Sequence, residues 1–159
     1  MPIIRLVTEI KAPIHICFDL ARSIDLHKLS TAHTKEKAVG GVTSGLISLG
    51  EEVTWQATHF GIRQKLTSKI TAFEFPVYFR DEMVKGIFRK IEHDHRFEQK
   101  EETTIMTDQF EYESPGGMVG HVFNTIVLTR YLKRLLIKRN NMIKNVTHDI
   151  FVIHKSFIC

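Results

Sequence analysis

Ile87-Phe88-Arg89-Lys90-Ile91-Glu92-His93-Asp94-His95-Arg96-Phe97 is the stretch that decides the fold. Ile87, Arg89, Ile91, His93, His95 and Phe97 alternate with Lys90, Glu92, Asp94, Arg96 and Glu98, a period of two that an extended strand produces and a helix does not. The charged set must face water, which turns Ile91, His93, His95 and Phe97 inward. The next run repeats the period, with Thr104, Met106, Asp108, Phe110 and Tyr112 against Ile105, Thr107, Gln109, Glu111 and Glu113. A carboxylate, Asp108, therefore sits among apolar neighbours.

Working toward the N-terminus, the same alternation recurs between turn signals. Val77, Phe79, Asp81 and Met83 share one face of a strand bounded by Pro76 and Gly86. Leu66, Ser68, Ile70 and Ala72 face inward in the preceding strand, with Arg63, Lys65, Thr67, Lys69 and Thr71 outward. Phe60-Gly61 turns the chain from a strand whose inner face is Val53, Trp55, Ala57 and His59. Thr31 to Gly50 holds one further strand among the turns marked by Gly40-Gly41 and Gly45. Ile14 to Leu29 has apolar residues at helical spacing, interrupted near Ser23-Ile24-Asp25, which predicts two short helices with Asp25 capping the second. Ile3 to Ile10 is β-branched and ends at Ala12-Pro13, a strand that gives way to a helix.

Toward the C-terminus, Ser114-Pro115-Gly116-Gly117 ends the sheet. From Gly117 to Asn145 the apolar residues, among them Phe123, Val127, Leu135, Leu136 and Ile143, recur at three and four. One helix of this length spans about 43 Å, enough to cross a curved sheet. The basic run Arg130 to Arg134, continuing to Lys138 and Arg139, reads as its solvated face. Residues 1–146 thus form one domain. The tail, 147–159, is apolar but aperiodic and has no legible place; packing on a second copy, as a homodimer, is one use for it.

Composition agrees with a single globular domain. The 159 residues are 43% hydrophobic and 25% charged. A net charge of +4 and an isoelectric point near 9.1, without clustering or a phosphate-binding loop, argue against a nucleic-acid binder. Cys17 and Cys159 match no metal or redox spacing. With no secretory signal and no apolar run near the ~20 residues of a membrane span, the expected home is the cytoplasm.

The order of strand, two short helices, six-stranded meander and long helix resembles the helix-grip fold of the Bet v 1, START and SRPBCC superfamily. The resemblance reaches from the N-terminus to about Val146. Trp55 with His59-Phe60-Gly61, Phe79-Arg80-Asp81-Glu82-Met83, Gly86-Ile87-Phe88, His93-Asp94-His95-Arg96-Phe97, Thr107-Asp108 and Tyr131-Leu132 are similar to its bacterial polyketide cyclase/dehydrase-like branch. Ile87 departs from that pattern, in which proline often follows the glycine. The resemblance implies an α+β fold, a seven-stranded curved antiparallel sheet with the long helix laid across it, and ligand binding more than any particular activity.

A long helix cannot touch a strongly curved sheet along its whole length, so a cavity is expected between them. Its walls would be Trp55, Phe79, Ile91, Phe97, Met106, Phe110 and Tyr112 from the sheet, with Phe123 and Val127 from the helix. His59, Asp81, His93, His95 and Asp108 are the polar intruders. A turn near Lys100-Glu101 places His93 opposite Asp108 and His95 opposite Met106, and a turn at Gly86 brings Asp81 within one residue pair of His93. The cluster has three readings: a satisfied structural network, an anchor for a ligand's polar group, or an acid/base pair. No nucleophile or oxyanion site is legible, so binding of a hydrophobic small molecule, whether lipid, polyketide-like or aromatic, is expected ahead of cyclase or dehydratase chemistry. Neither cofactor nor metal is expected, because the sequence gives no reason for His93, His95, His59, Asp81 and Asp108 to converge on one point.

Overall fold

A computed structural model describes the backbone of residues 1–114 and 118–156, and the side chains of 1–114 and 125–150. In chain order, β1 (Ile3–Ile10) leads into α1 (Ile14–Ala21) and α2 (Ile24–Ser30). A single 3-10 turn (Ala32–Thr34) precedes the strands β2 (Lys37–Gly41), β3 (Glu52–His59), β4 (Ile62–Glu74), β5 (Tyr78–Lys85), β6 (Lys90–Lys100) and β7 (Thr103–Glu113). The helix α3 (Met118–Ser156) closes the chain. All pairings are antiparallel in the spatial order β1-β7-β6-β5-β4-β3-β2, so β2 to β7 form a meander and β1 joins it beside β7.

The turns carry the chemistry their geometry demands. Between β3 and β4 the two-residue loop puts Phe60 at φ 51° and Gly61 at φ 76°, both in the left-handed region that such hairpins require. At the end of β2, Gly41 has φ 68°, and a Cβ there would lie 2.0 Å from the carbonyl oxygen of Glu52.

Helix α2 is capped by Ser23, whose hydroxyl accepts from the Leu26 amide at 3.2 Å. This corrects the expectation that Asp25 caps it. Asp25 lies inside the first turn, where it accepts from the Gly45 amide and pairs with Lys28.

Two inward sets shift from their expected positions. In β4 a bulge between Ile70 and Ala72 leaves Thr71 unpaired, so Phe73, opposite Phe79, turns inward in place of Ala72. Between β6 and β7 the turn is Glu101-Glu102, closed by the pair Lys100 and Thr103, with Glu101 at φ 53°. The register moves by two residues as a result. His95, not His93, lies opposite Asp108, while Phe110 lies opposite His93 and Met106 opposite Phe97.

The core has two parts. Phe18 of α1 meets the rings of Phe73, Phe75, Phe79 and Phe97 at 5.2–5.3 Å, three of them edge to face. It is fully buried with Ile10, Cys17, Met106 and Ile143. At the other end Ile4, Ile91, Tyr112 and Leu136 pack together. Burial of each such side chain contributes about 1.5–3 kcal/mol.

Along α3, Leu128, Leu132, Leu136, Met142, Ile143 and Val146 pack on the sheet and its supporting helices, while Lys133, Lys138 and Lys144 stay exposed. Arg139 departs from the expected solvated face: it is 6% exposed, because the steps Leu132, Leu136, Arg139, Ile143 place it on the apolar stripe. The helix runs to Ser156, well past Asn145. The side chains of Phe123 and of residues 151–159, on which the expectation of self-association rested, lie outside the described residues. Among the described residues no helix is long and apolar enough to cross a membrane.

Candidate functional site

Between α3 and the concave face of β3 to β7 lies a cavity of about 500 Å³, closed on one side by α2. Its apolar walls include Trp55, Ile70, Phe79, Ile91, Phe110 and Leu136. Phe60, Ile87 and Val127 line it too but are 62%, 44% and 42% exposed, which marks that end as the mouth. There Tyr131 of α3 bonds His59 Nδ1 at 2.6 Å and packs its ring on Phe60 at 4.8 Å. Burial pushes the His59 imidazole below its ordinary value, against the opposing charge of Glu36.

Of the residues expected to line a cavity, Trp55, His59, Phe79, Asp81, Ile91, His93, His95, Phe110 and Val127 do so. Phe97, Met106, Asp108 and Tyr112 are not lining residues. Phe97 and Met106 pack in the core around Phe18, and Tyr112 turns its hydroxyl to Thr129 at 2.6 Å. Alternation reveals which face a side chain takes but not which part of that face a helix covers: α1 with the Ile143 end of α3 covers Phe97 and Met106, and the Leu128–Leu136 part of α3 covers Tyr112.

Asp108 is fully buried behind the cavity wall as the hub of a polar network. Its Oδ1 lies 2.7 Å from His95 Nδ1 and 3.1 Å from His93 Nε2, and its Oδ2 accepts from Asn140 Nδ2 at 2.6 Å. Arg139 Nη1 stands 3.6 Å from Oδ1. Burial alone would raise the Asp108 carboxyl, but the hydrogen bonds and charge of His93 and His95 hold it well below its usual range. An ionised carboxylate only accepts, so His93 Nε2 and His95 Nδ1 are the protonated ring nitrogens.

The remaining nitrogens, His93 Nδ1 and His95 Nε2, face Asp81 Oδ2 at 3.7 and 3.1 Å on the cavity side. Burial acts to raise the Asp81 carboxyl; the His95 hydrogen bond and nearby positive charge outweigh it and hold the group low. For His93, burial and the neighbouring His95 push the ring below its ordinary value. The two imidazole centroids are 3.8 Å apart. One donor atom from each of Asp81, His93 and His95 falls within 4.8 Å of the others, the donor set of a candidate metal centre.

Sequence reasoning missed Arg139 and Asn140. Arg139 Nη2 donates to the Ala21 carbonyl at 2.5 Å, while its Nη1 and Asn140 Oδ1 are buried without a hydrogen-bond partner. The available signal was helical phase: Arg139 falls on the same stripe as Leu132, Leu136 and Ile143, although it ends a basic run.

The family profile described as "Polyketide cyclase / dehydrase and lipid transport" matches residues 27–136. Comparison with curated proteins gives no match. Among solved structures, TTHA0849 from Thermus thermophilus superposes with a TM-score of 0.71 at 17% identity, covering 92% of this chain and 99% of the other. Zhui aromatase/cyclase from Streptomyces sp. R1128 gives 0.72 at 9% identity, over 92% and 93% of the two chains. The ginseng major latex-like protein 151 from Panax ginseng gives 0.62 at 17% identity, over 92% and 97%. At such identities these likenesses concern the fold.

Proposed function

The chain belongs to the polyketide cyclase/dehydrase and lipid transport family, and from that premise we propose that it binds a hydrophobic small molecule, a lipid, polyketide-like or aromatic compound, in the cavity between sheet and long helix. The observation that carries this reading is the composition of the cavity: apolar and aromatic walls interrupted by polar side chains, with Asp81, His93 and His95 clustered among them. Apolar surface supplies affinity, and a few fixed polar atoms supply orientation. An apolar chain or ring system carrying one or two oxygen substituents matches both. The reading includes a cytoplasmic location, in keeping with Cys17, which is buried as a free thiol.

Trp55 in the cavity wall provides the assay. A fluorescent anilinonaphthalene should bind saturably with quenching of Trp55, and a long-chain fatty acid or polycyclic phenol should displace it. Ala57→Phe, which projects a ring into the cavity from β3, should weaken the probe at least about 10-fold while the protein stays folded. A probe that does not saturate, or that binds the filled variant equally well, would overturn the reading.

One observation favours a second reading. His95 lies between the carboxylates of Asp108 and Asp81, an arrangement suited to passing a proton to a bound carbonyl compound, as a cyclase or dehydratase requires. Turnover of a model poly-β-ketone that is lost in Asp81→Asn would support it.

A further inference from the structure

We propose that Asp81, His93 and His95 form a binding site for a divalent first-row transition-metal ion, of the zinc or ferrous class, open to the cavity. The expectation drawn from sequence was the opposite; what changes it is the arrangement around Asp108.

Asp108 Oδ1 accepts hydrogen bonds from both imidazoles, from His93 Nε2 and His95 Nδ1. The other ring nitrogens, His93 Nδ1 and His95 Nε2, are thereby directed, with Asp81 Oδ2, at a common region, where the carboxylate oxygen stands 3.7 and 3.1 Å from the two nitrogens. Without a metal, His95 Nε2 bonds Asp81 Oδ2 at 3.1 Å while His93 Nδ1 stands 3.7 Å from the same oxygen, too far for a hydrogen bond. A divalent ion in this region would replace the first contact and draw in all three donor atoms, which lie within 4.8 Å of one another.

The dimensions agree. Ligands at about 2.0–2.2 Å from a metal lie roughly 3.0–3.5 Å from each other; of the two distances to Asp81 Oδ2, 3.1 Å falls within that spacing and 3.7 Å exceeds it by what a small side-chain adjustment closes. Two imidazoles with one carboxylate is a donor set suited to zinc or ferrous iron, and it leaves coordination positions free for water or a ligand oxygen. Asp108 supplies what such sites need behind them, a carboxylate that fixes the tautomer and orientation of the ligating histidines. Asn140 and Arg139 in turn hold Asp108.

The site uses the polar groups of the proposed cavity but needs no apolar ligand to form, so its test uses the metal alone. Protein purified without an affinity tag and stripped with chelator is titrated with Co²⁺, read by visible absorption and calorimetry. One equivalent should bind with d–d bands of four- or five-fold coordination. Affinity should fall about 100-fold in Asp81→Asn and at least about 10-fold in Asp108→Asn. No saturable binding, or equal binding by wild type and Asp81→Asn, would overturn the site while leaving the anilinonaphthalene result untouched. Should either variant fail to fold, the wild type decides: after one equivalent of zinc its X-ray absorption should show scattering from two imidazoles, and a spectrum with one or none would refute the assignment.

Discussion

Asn140, in the second half of the chain's last helix, donates a 2.6 Å hydrogen bond to the buried carboxylate of Asp108 on β7. The bond fastens α3 to the sheet beside the cavity, and the same amide nitrogen reaches Thr8 on β1 at 3.1 Å. Helix and sheet are thus held by a polar contact as well as by Leu136 and Ile143.

Removing the acceptor should cost more than removing the donor. Asp108→Ala strips the partner from two histidines, Asn140 and Arg139 at a site closed to water, and should destabilise by about 3–5 kcal/mol. Asn140→Ala should cost about 1–3 kcal/mol. Urea unfolding of both variants and of the double variant should show strong non-additivity. Additive losses would mean that the two side chains do not act on each other.

Arg139→Met preserves much of the packing volume and deletes the donor to the Ala21 carbonyl. That carbonyl ends α1, so the loss should be about 1–3 kcal/mol and local to the α1–α2 corner. Hydrogen exchange should quicken at the amides of α1 and α2 ahead of those in β6 and β7. A uniform change over the whole chain would contradict this assignment.

Tyr131→Phe retains the ring against Phe60 and removes the hydroxyl from His59. The expected cost is about 0.5–1.5 kcal/mol. Faster exchange should be confined to the tip of the β3–β4 hairpin, with the cavity mouth loosened. An unchanged exchange rate at the hairpin tip would show that the bond does not hold the mouth.

On the outer face of the sheet, Asp94 accepts from Arg80 at 2.8 and 2.9 Å and from Tyr78 at 2.5 Å. Burial works to raise its carboxyl, but the Arg80 and Tyr78 hydrogen bonds hold it below the usual range. A carboxylate with a lowered folded pKa stabilises above its unfolded value, about 3.9, and loses that contribution as pH falls through the folded value. Asp94→Asn should therefore lower stability by about 1–2 kcal/mol at neutral pH. The difference from wild type should shrink as pH falls below the unfolded value and through the lowered folded one. A gap that persists in acid would assign the loss to packing.

The architecture was legible because alternation and helical phase are local signals that the hydrophobic core enforces. What escaped depended on single turns and on neighbours far away in sequence. Moving the β6–β7 turn by one residue, to Glu101-Glu102, displaced the whole ladder by two and exchanged the partners of His93 and His95. Both histidines still meet Asp108, since a carboxylate reaches the diagonal position as well as the opposite one. A bulge at Thr71 replaced Ala72 by Phe73, and no period-two pattern contains such a step. Arg139 was read by its neighbours in the basic run when its helical phase already placed it inside. Phe97 and Met106 were assigned the right face but lie under α1.

The pairing of β1 with β7 sets Ile3 opposite Glu111 and Ile10 opposite Thr104, so the first strand waits for one nearly a hundred residues later. Closing so long a loop delays the reward for its entropy cost, and chains dominated by such distant pairings fold in milliseconds to seconds, not microseconds. During synthesis, Ile3 to Ile10 must leave the ribosome and remain without its sheet partner until β7 follows. For that interval it is a bare strand edge, and the order of emergence makes this protein's nascent chain, more than its finished form, the species exposed to chaperones and to aggregation.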